Sequence, residues 1–422
     1  MRRLRSLPAV LLLLAAGCAK PPPAGTADQP PQPSSPVGLY TDTNPRWSHD
    51  GRQIAFLRAT PDHRMQLHLA DARLERPLAL LESELLCPDR PYRPSQETYC
   101  STDTLAWSPD DRRIAFERIE WFTFEDGERL PGTGLWSFDT RSGRVMPLAI
   151  HPPRYFSIFY YYHTPAWSPD GRYLAFVAEG INGQRSLCIR PLSGQKPQET
   201  HPRFDNYEDS DWLTWEPLHA EPAQTPRSAL VFRQSLHRTY NVAPTETLRR
   251  LTPGSATAKG NGEIWRITNR DYHSPVPLQG KSERPIMLRI GQPVWSPDGS
   301  TLAFTLTPNA NDYARYEIWT WRRFNGNARR VSPPGRGCFA PVWIGSDEIG
   351  CLSKQGDRYA VFEMAVFGGS MKPLGAIGSA DCDWSPDRSQ LVWAAPSREA
   401  PSTSDEPTTL HLFPTGLRVP KS

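Results

Sequence analysis

Short apolar runs without alternation recur along this chain between polar turns: Ile54-Ala55-Phe56, Ile114-Ala115-Phe116, Leu174-Ala175-Phe176, Leu302-Ala303-Phe304 and Leu391-Val392-Trp393. Runs this short lack the 3.6-residue period of a helix and predict strands, and the missing alternation predicts strands covered on both faces. Each run follows a Trp and a polar turn. The copies read WSHDGRQIAF from Trp47, WSPDDRRIAF from Trp107, WSPDGRYLAF from Trp167, WSPDGSTLAF from Trp295 and WSPDRSQLVW from Trp384. Two degenerate copies stand between them: WIGSDEIGC from Trp343, one residue shorter, and WEP at Trp215, separated by an insertion from Leu230-Val231-Phe232.

Ser, Pro, Asp and Gly in that order suit a type I turn closed by a left-handed residue, so each copy predicts a hairpin whose first strand ends at the Trp. Asp111 and Arg388 replace the closing Gly in two copies, where the left-handed backbone suits Asp moderately and Arg less. Third strands are expected at Gln66–Ala70, Leu135–Phe138, Leu187–Arg190, Ile264–Ile267, Ile318–Trp321, Val361–Met364 and Leu410–Phe413. Short last strands such as Arg329-Arg330-Val331 follow several of them. Blade four is irregular, because Thr247–Thr252 also reads as a last strand. One unit per 41 to 80 residues cannot bury its own faces and must stack on its neighbours. The expected fold is therefore all-β: a β-propeller of four-stranded blades, seven by the count of starts, with six as the alternative count.

The hairpin motif resembles the signature of the TolB family of propeller repeats, over roughly residues 44–419. The resemblance implies the fold. TolB-type members proper carry six blades and an amino-terminal α/β domain, for which there is no room before Trp47, so a role in the Tol-Pal system does not follow from it.

The amino terminus bears on the compartment. Arg2, Arg3 and Arg5 precede an apolar run from Leu7 to Gly17, of the length a secretory signal needs and too short to span a bilayer. It ends in Leu14-Ala15-Ala16-Gly17-Cys18, which resembles a bacterial lipobox with Cys18 as the acylated first residue of the mature chain. The expected organisation is a lipoprotein signal peptide over 1–17, a lipid-anchored Pro-rich tether over 18–38 and the propeller over 39–422. No Asp follows Cys18, which by the sorting rule of such lipoproteins implies the outer membrane. Without the three signal arginines, basic and acidic residues are equal at 45 each, so no electrostatic footprint for nucleic acid remains.

Six cysteines follow Cys18 in a compartment that would permit disulfides. Cys87 and Cys100 share one Pro-rich connection and are expected to pair. Cys188 and Cys351 fall where sister repeats carry Trp or Phe and read as small buried hydrophobes. Cys338 and Cys382 precede the Trp of their repeats, with pairing undetermined.

No Gly-x-Ser-x-Gly elbow, His-Glu-x-x-His or Cys-x-x-Cys spacing occurs, so no catalytic residue, metal site or cofactor is assigned. Extra length gathers in second turns and blade-to-blade connections, on one rim: Glu82–Asp103, Ile119–Thr133, Ile150–Thr164, Gln198–Trp212, Arg233–Asn261, Thr307–Arg315 and Ala395–Thr408. Trp121 and Trp212 are the two Trp off the repeat positions. With Phe124, Tyr155, Phe159, Tyr160 and Tyr161 they form the expected partner-binding surface, for an envelope protein or a glycan. The competing reading has these rings packing under their own loops. The expected function is a non-catalytic, extracytoplasmic protein-binding or scaffold module of the bacterial envelope. The competing class is a carbohydrate-binding or lyase-like propeller using loop residues such as His151, His163 and His201.

Overall fold

The computed structural model describes residues 39–59, 65–75, 77–81, 104–123, 129–149, 161–179, 185–192, 198–199, 207–217, 229–237, 245–251, 262–267, 289–308, 312–323, 328–394, 398–399 and 409–417. Cys18, Cys87, Cys100, Phe124, Tyr155, Phe159 and Tyr160 lie outside them. Each repeat Trp ends the first strand of an antiparallel sheet: Leu39–Trp47, Leu105–Trp107, Tyr161–Trp167, Tyr207–Trp215, Arg289–Trp295, Phe339–Trp343 and Cys382–Trp384. Five sheets are blades of four consecutive strands, the first blade adds Arg398–Glu399 as a fifth strand beside its own four, and a seventh sheet of three strands stands between the sixth blade and the first. The chain folds as an all-β propeller.

The ring is legible in its cores. The apolar triplets are buried on both faces, as their lack of alternation requires, except for the half-buried Trp393 that ends the last one. One core joins each pair of neighbouring sheets. Leu57 and Leu67 meet Trp107 and Ile114 between the first and second blades. Ala394 and Leu410 of the seventh sheet meet Trp47 and Phe56 of the first. Indole N–H groups add a polar seam. Trp107 donates to Arg46 O at 3.0 Å, Trp167 to Ala106 O at 3.1 Å, Trp215 to Ala166 O at 3.0 Å and Trp343 to Val294 O at 3.0 Å. In each case the acceptor is the residue before the preceding blade's Trp, so the repeat offset alone aligns donor and acceptor. Trp47 and Trp295 break the seam, their indole nitrogens buried without a partner.

The five good turns share one geometry. The buried Ser hydroxyl donates to the Asp two residues on, at 2.5 to 2.7 Å from Ser48, Ser108, Ser168, Ser296 and Ser385. It also accepts from the backbone N–H five residues on, at 2.9 to 3.0 Å. The fourth residue is left-handed throughout: Gly51, Asp111, Gly171, Gly299 and Arg388. The two non-glycine residues reach the preceding blade. Asp111 accepts from the backbone N–H of His49 and Asp50, both at 2.8 Å, and Arg388 Nε donates to Trp343 O at 2.9 Å. Each offsets its backbone strain with an interblade bond.

Three expectations are corrected. In blade four, Thr245–Leu251 is the third strand, paired directly with Leu230–His237, and Gly262–Ile267 is the fourth rather than the third. Ile119–Thr133 is not a loop in its described part. Arg113–Thr123 and Arg129–Asp139 pair continuously as a long hairpin, because backbone groups leaving the sheet are satisfied by continuing its ladder. Trp212 lies inside the strand Tyr207–Trp215. At the start of the first strand, Leu39 and Tyr40 pair with Glu399 and Arg398.

The closure between the seventh sheet and the first blade rests on side chains. Asp381 accepts from Asn44 N–H and Asp383 from Trp47 N–H, both at 2.8 Å. Asp42 N–H donates to Thr409 Oγ1 at 2.8 Å, while Thr409 N–H donates to Asp42 Oδ2 at 2.6 Å. Asp42 also holds Arg58 Nε at 2.7 Å in an ion pair buried on both sides.

Candidate functional site

The first strands touch one another around the ring and line its central channel. Three residues before each Trp, this lining carries Asn44, Thr104, Thr164, Trp212, Gln292, Ala340 and Asp381. Five of them, Asn44, Thr164, Trp212, Gln292 and Ala340, have left-handed backbone at φ 46° to 58°. Each of the five coincides with a slip of register between first and second strand. Such a bulge turns an N–H out of the ladder and needs another acceptor for it. The preceding sheet supplies one from the same position. Asn44 N–H goes to Asp381, Thr164 N–H to Thr104 Oγ1 at 3.3 Å and Ala340 N–H to Gln292 Oε1 at 2.7 Å. These positions form a ring around the channel, linked by side chain to backbone contacts in three places.

Trp212 departs from this polar ring. Its side chain is 44% exposed, one of three large hydrophobics so exposed among the described residues, with Leu78 and Phe367. The indole lies over Gly291, where an added Cβ would stand 3.7 Å from its ring and 3.0 Å from Thr305 Oγ1. An added methyl there would meet the ring at ordinary contact distance and crowd only the Thr305 hydroxyl.

A charged cluster joins blades two and three. Glu117, buried at the second blade, accepts from Thr104 Oγ1 at 2.6 Å and faces His163 Nδ1 at 3.8 Å. His163 Nε2 faces Glu179 at 3.5 Å, and Glu179 holds Arg185 Nε at 2.8 Å. Burial alone would lower the His163 pKa, but Glu117 and Glu179 outweigh it against Arg185 and the pKa is raised. A second histidine behaves oppositely. Burial, helped by Arg58 and opposed by Asp42, lowers the His68 pKa to about 4. Among the described residues no group of three or more His, Cys, Asp or Glu is placed to hold a metal ion. A polar cleft of about 270 Å³ between blades five and six, lined by Asp298, Arg322, Arg329 and Asp347, opens on the opposite, tight-turn rim.

The expected surface is reached in part. Trp121 stands opposite Pro131 in the long hairpin and Tyr161 opposite Glu179 at the start of its strand, by backbone pairing. Trp212 is a ring position rather than a loop residue, which corrects its placement off the repeat. Its fixed offset from Trp215 is the signal that would have found it, and the other ring positions with it. A described part of the long-loop rim does pack under itself: Tyr313 stacks on Tyr316 at 5.7 Å, and Phe339 and Tyr359 close over them.

No protein-family model and no curated protein matches the chain. Among solved structures it is similar to one described as two prolyl endopeptidases, at 11% identity and TM-score 0.51, over 85% of this chain and 46% of that one. It is similar to TolB from Acinetobacter baumannii at 14% identity and TM-score 0.41, over 82% of this chain and 64% of that one. A putative TolB from Agrobacterium tumefaciens is similar at 16% identity and TM-score 0.42, over 77% and 94%. What the chain shares with the endopeptidase structure is the β-propeller fold. The chain spans about half the length of the endopeptidase chain, and at this identity the likeness is one of fold.

Proposed function

We propose that the chain is a non-catalytic, lipid-anchored propeller of the bacterial cell envelope that binds a protein partner at the channel mouth on the long-loop rim. The observation that carries the reading is Trp212, a large exposed aromatic held in a rigid polar ring at a strained backbone position. Strain and exposed apolar area concentrate where binding uses them. The envelope part rests on the arginines, apolar run and Cys18 of the amino terminus. Capture of envelope proteins by the native chain is compared with capture by Trp212→Ala. Loss of about 2 kcal/mol in affinity is expected for a buried anchor. Equal capture by two folded proteins removes the ring from consideration. Separately, Cys18→Ala is expected to release the protein from the membrane fraction, and unchanged partition would overturn the anchor.

A carbohydrate-active reading is favoured by one feature, the convergence of Glu117, His163 and Glu179. Two carboxylate neighbours favour the protonated form of His163, as its raised pKa reflects, which suits a tie between blades more than a general base. Turnover of a polysaccharide by the native chain, abolished in Glu179→Gln, would reverse that judgement.

A further inference from the structure

We infer that Cys338 and Cys351 form a disulfide in the folded protein, a covalent clip within blade six. Two positions of the repeat carry this. Nine residues after the Trp, sister blades hold the buried Phe56, Phe116, Phe176 and Phe304; after the one-residue deletion of blade six, this position is Cys351. Five residues before the Trp, blade three holds Tyr162 and blade five Ile290, and in blade six this position is Cys338. The two positions meet in space. The Tyr162 and Phe176 rings stand edge-on with centroids 5.1 Å apart, and Ile290 and Phe304 share one core. In blade six both partners are cysteine, and their sulfurs lie 2.9 Å apart with no exposed surface. Cysteine at one position alone would leave the volume of a ring unfilled. Cysteine at both places the sulfurs on the same contact.

A disulfide needs sulfurs at about 2.05 Å, so the pair must close by less than about 1 Å. Cys338 N–H donates to Tyr316 O of blade five at 2.8 Å, so the clip would also tie the entry of blade six to its neighbour. Glutathione disulfide is a sufficient oxidant. One cysteine thiolate attacks it and releases one glutathione thiol, and the second thiolate attacks the mixed disulfide and releases the other. Two protein S–H bonds become one S–S bond while the oxidant's S–S bond becomes two S–H bonds. Because both sulfurs are buried, the exchange takes place before the strands Phe339–Trp343 and Glu348–Gln355 have closed over them.

The inference goes beyond the binding reading and is independent of the anchor, so its test uses a defined redox buffer. The full chain is refolded with reduced and oxidised glutathione, free thiols are alkylated in denaturant without reduction, and the protein is cut with trypsin. Cleavage after Arg336 and Lys354 leaves both cysteines on one peptide, Gly337 to Lys354. The expected peptide is unalkylated and two hydrogens lighter than its dithiol form, and gains two alkyl groups only after reduction. Alkylation of both cysteines without reduction, or a bond from either to another cysteine, overturns the clip.

Discussion

The turn serine does more than its place in a polar motif requires. Ser168 is buried, donates to Asp170 and accepts from Tyr173 N–H, so one hydroxyl closes the hairpin from both sides. Ser168→Ala strands that N–H and should cost about 1–3 kcal/mol, read from urea unfolding. Burial would raise the pKa of Asp50, Asp110, Asp298 and Asp387, but hydrogen bonds from the turns lower it overall. Their contribution is thus complete above the ordinary value of 3.8 and is lost as pH falls through the lowered folded values. The two histidines act in opposite senses. His163, raised, contributes fully below pH 6.5 and loses that contribution as pH rises through its folded pKa. His68, lowered to about 4, contributes fully above pH 6.5 and loses it as pH falls toward that value. Imidazole resonances should therefore titrate above 6.5 for His163 and near 4 for His68, and Glu117→Gln should move the first downward and leave the second in place.

Each blade is specified by its hairpin and completed by its neighbour. Trp167 fills the core between blades two and three, carries Arg113 over its ring at 4.8 Å and donates to Ala106 O. Trp167→Ala should cost about 3–5 kcal/mol through the cavity it leaves. Trp167→Phe keeps most of the packing and should cost about 1 kcal/mol for the lost bond, the two being separated by denaturant titration. Strand positions were legible wherever the apolar triplet was intact. Blade four was misordered because Trp215 is followed by Glu216 in place of Ser, and this buried carboxylate pairs with Arg250 and Arg323 instead of closing a tight turn. A turn built on an interblade ion pair leaves no local signature.

Beside the apolar core between the seventh sheet and the first blade, the ring closes through a few carboxylates and two residue pairs of strand pairing. Removing residues 1–38 should accordingly leave the melting temperature unchanged. Asp42→Ala should cost about 3–5 kcal/mol by thermal or chemical denaturation, because it strands the Arg58 guanidinium at 1% exposure and frees Thr409 N–H. Loss of stability on removing 1–38, or tolerance of Asp42→Ala, would contradict this account of closure.

The sequence by itself determined the strands, the turns and their stacking. These depend on short-range chemistry: an apolar triplet that wants cover on both faces, a turn that wants Ser, Asp and a left-handed residue, a Trp at fixed spacing. Tertiary structure alone decided which sheet the amino-terminal strand joins, that Asp111 and Arg388 bond across blades, and that Asn44, Thr104, Thr164, Trp212, Gln292, Ala340 and Asp381 form one ring. Those contacts join residues as far apart in sequence as Asn44 and Asp381, 337 positions, so their energies depend on where the closed ring places each strand and leave no trace in any local window.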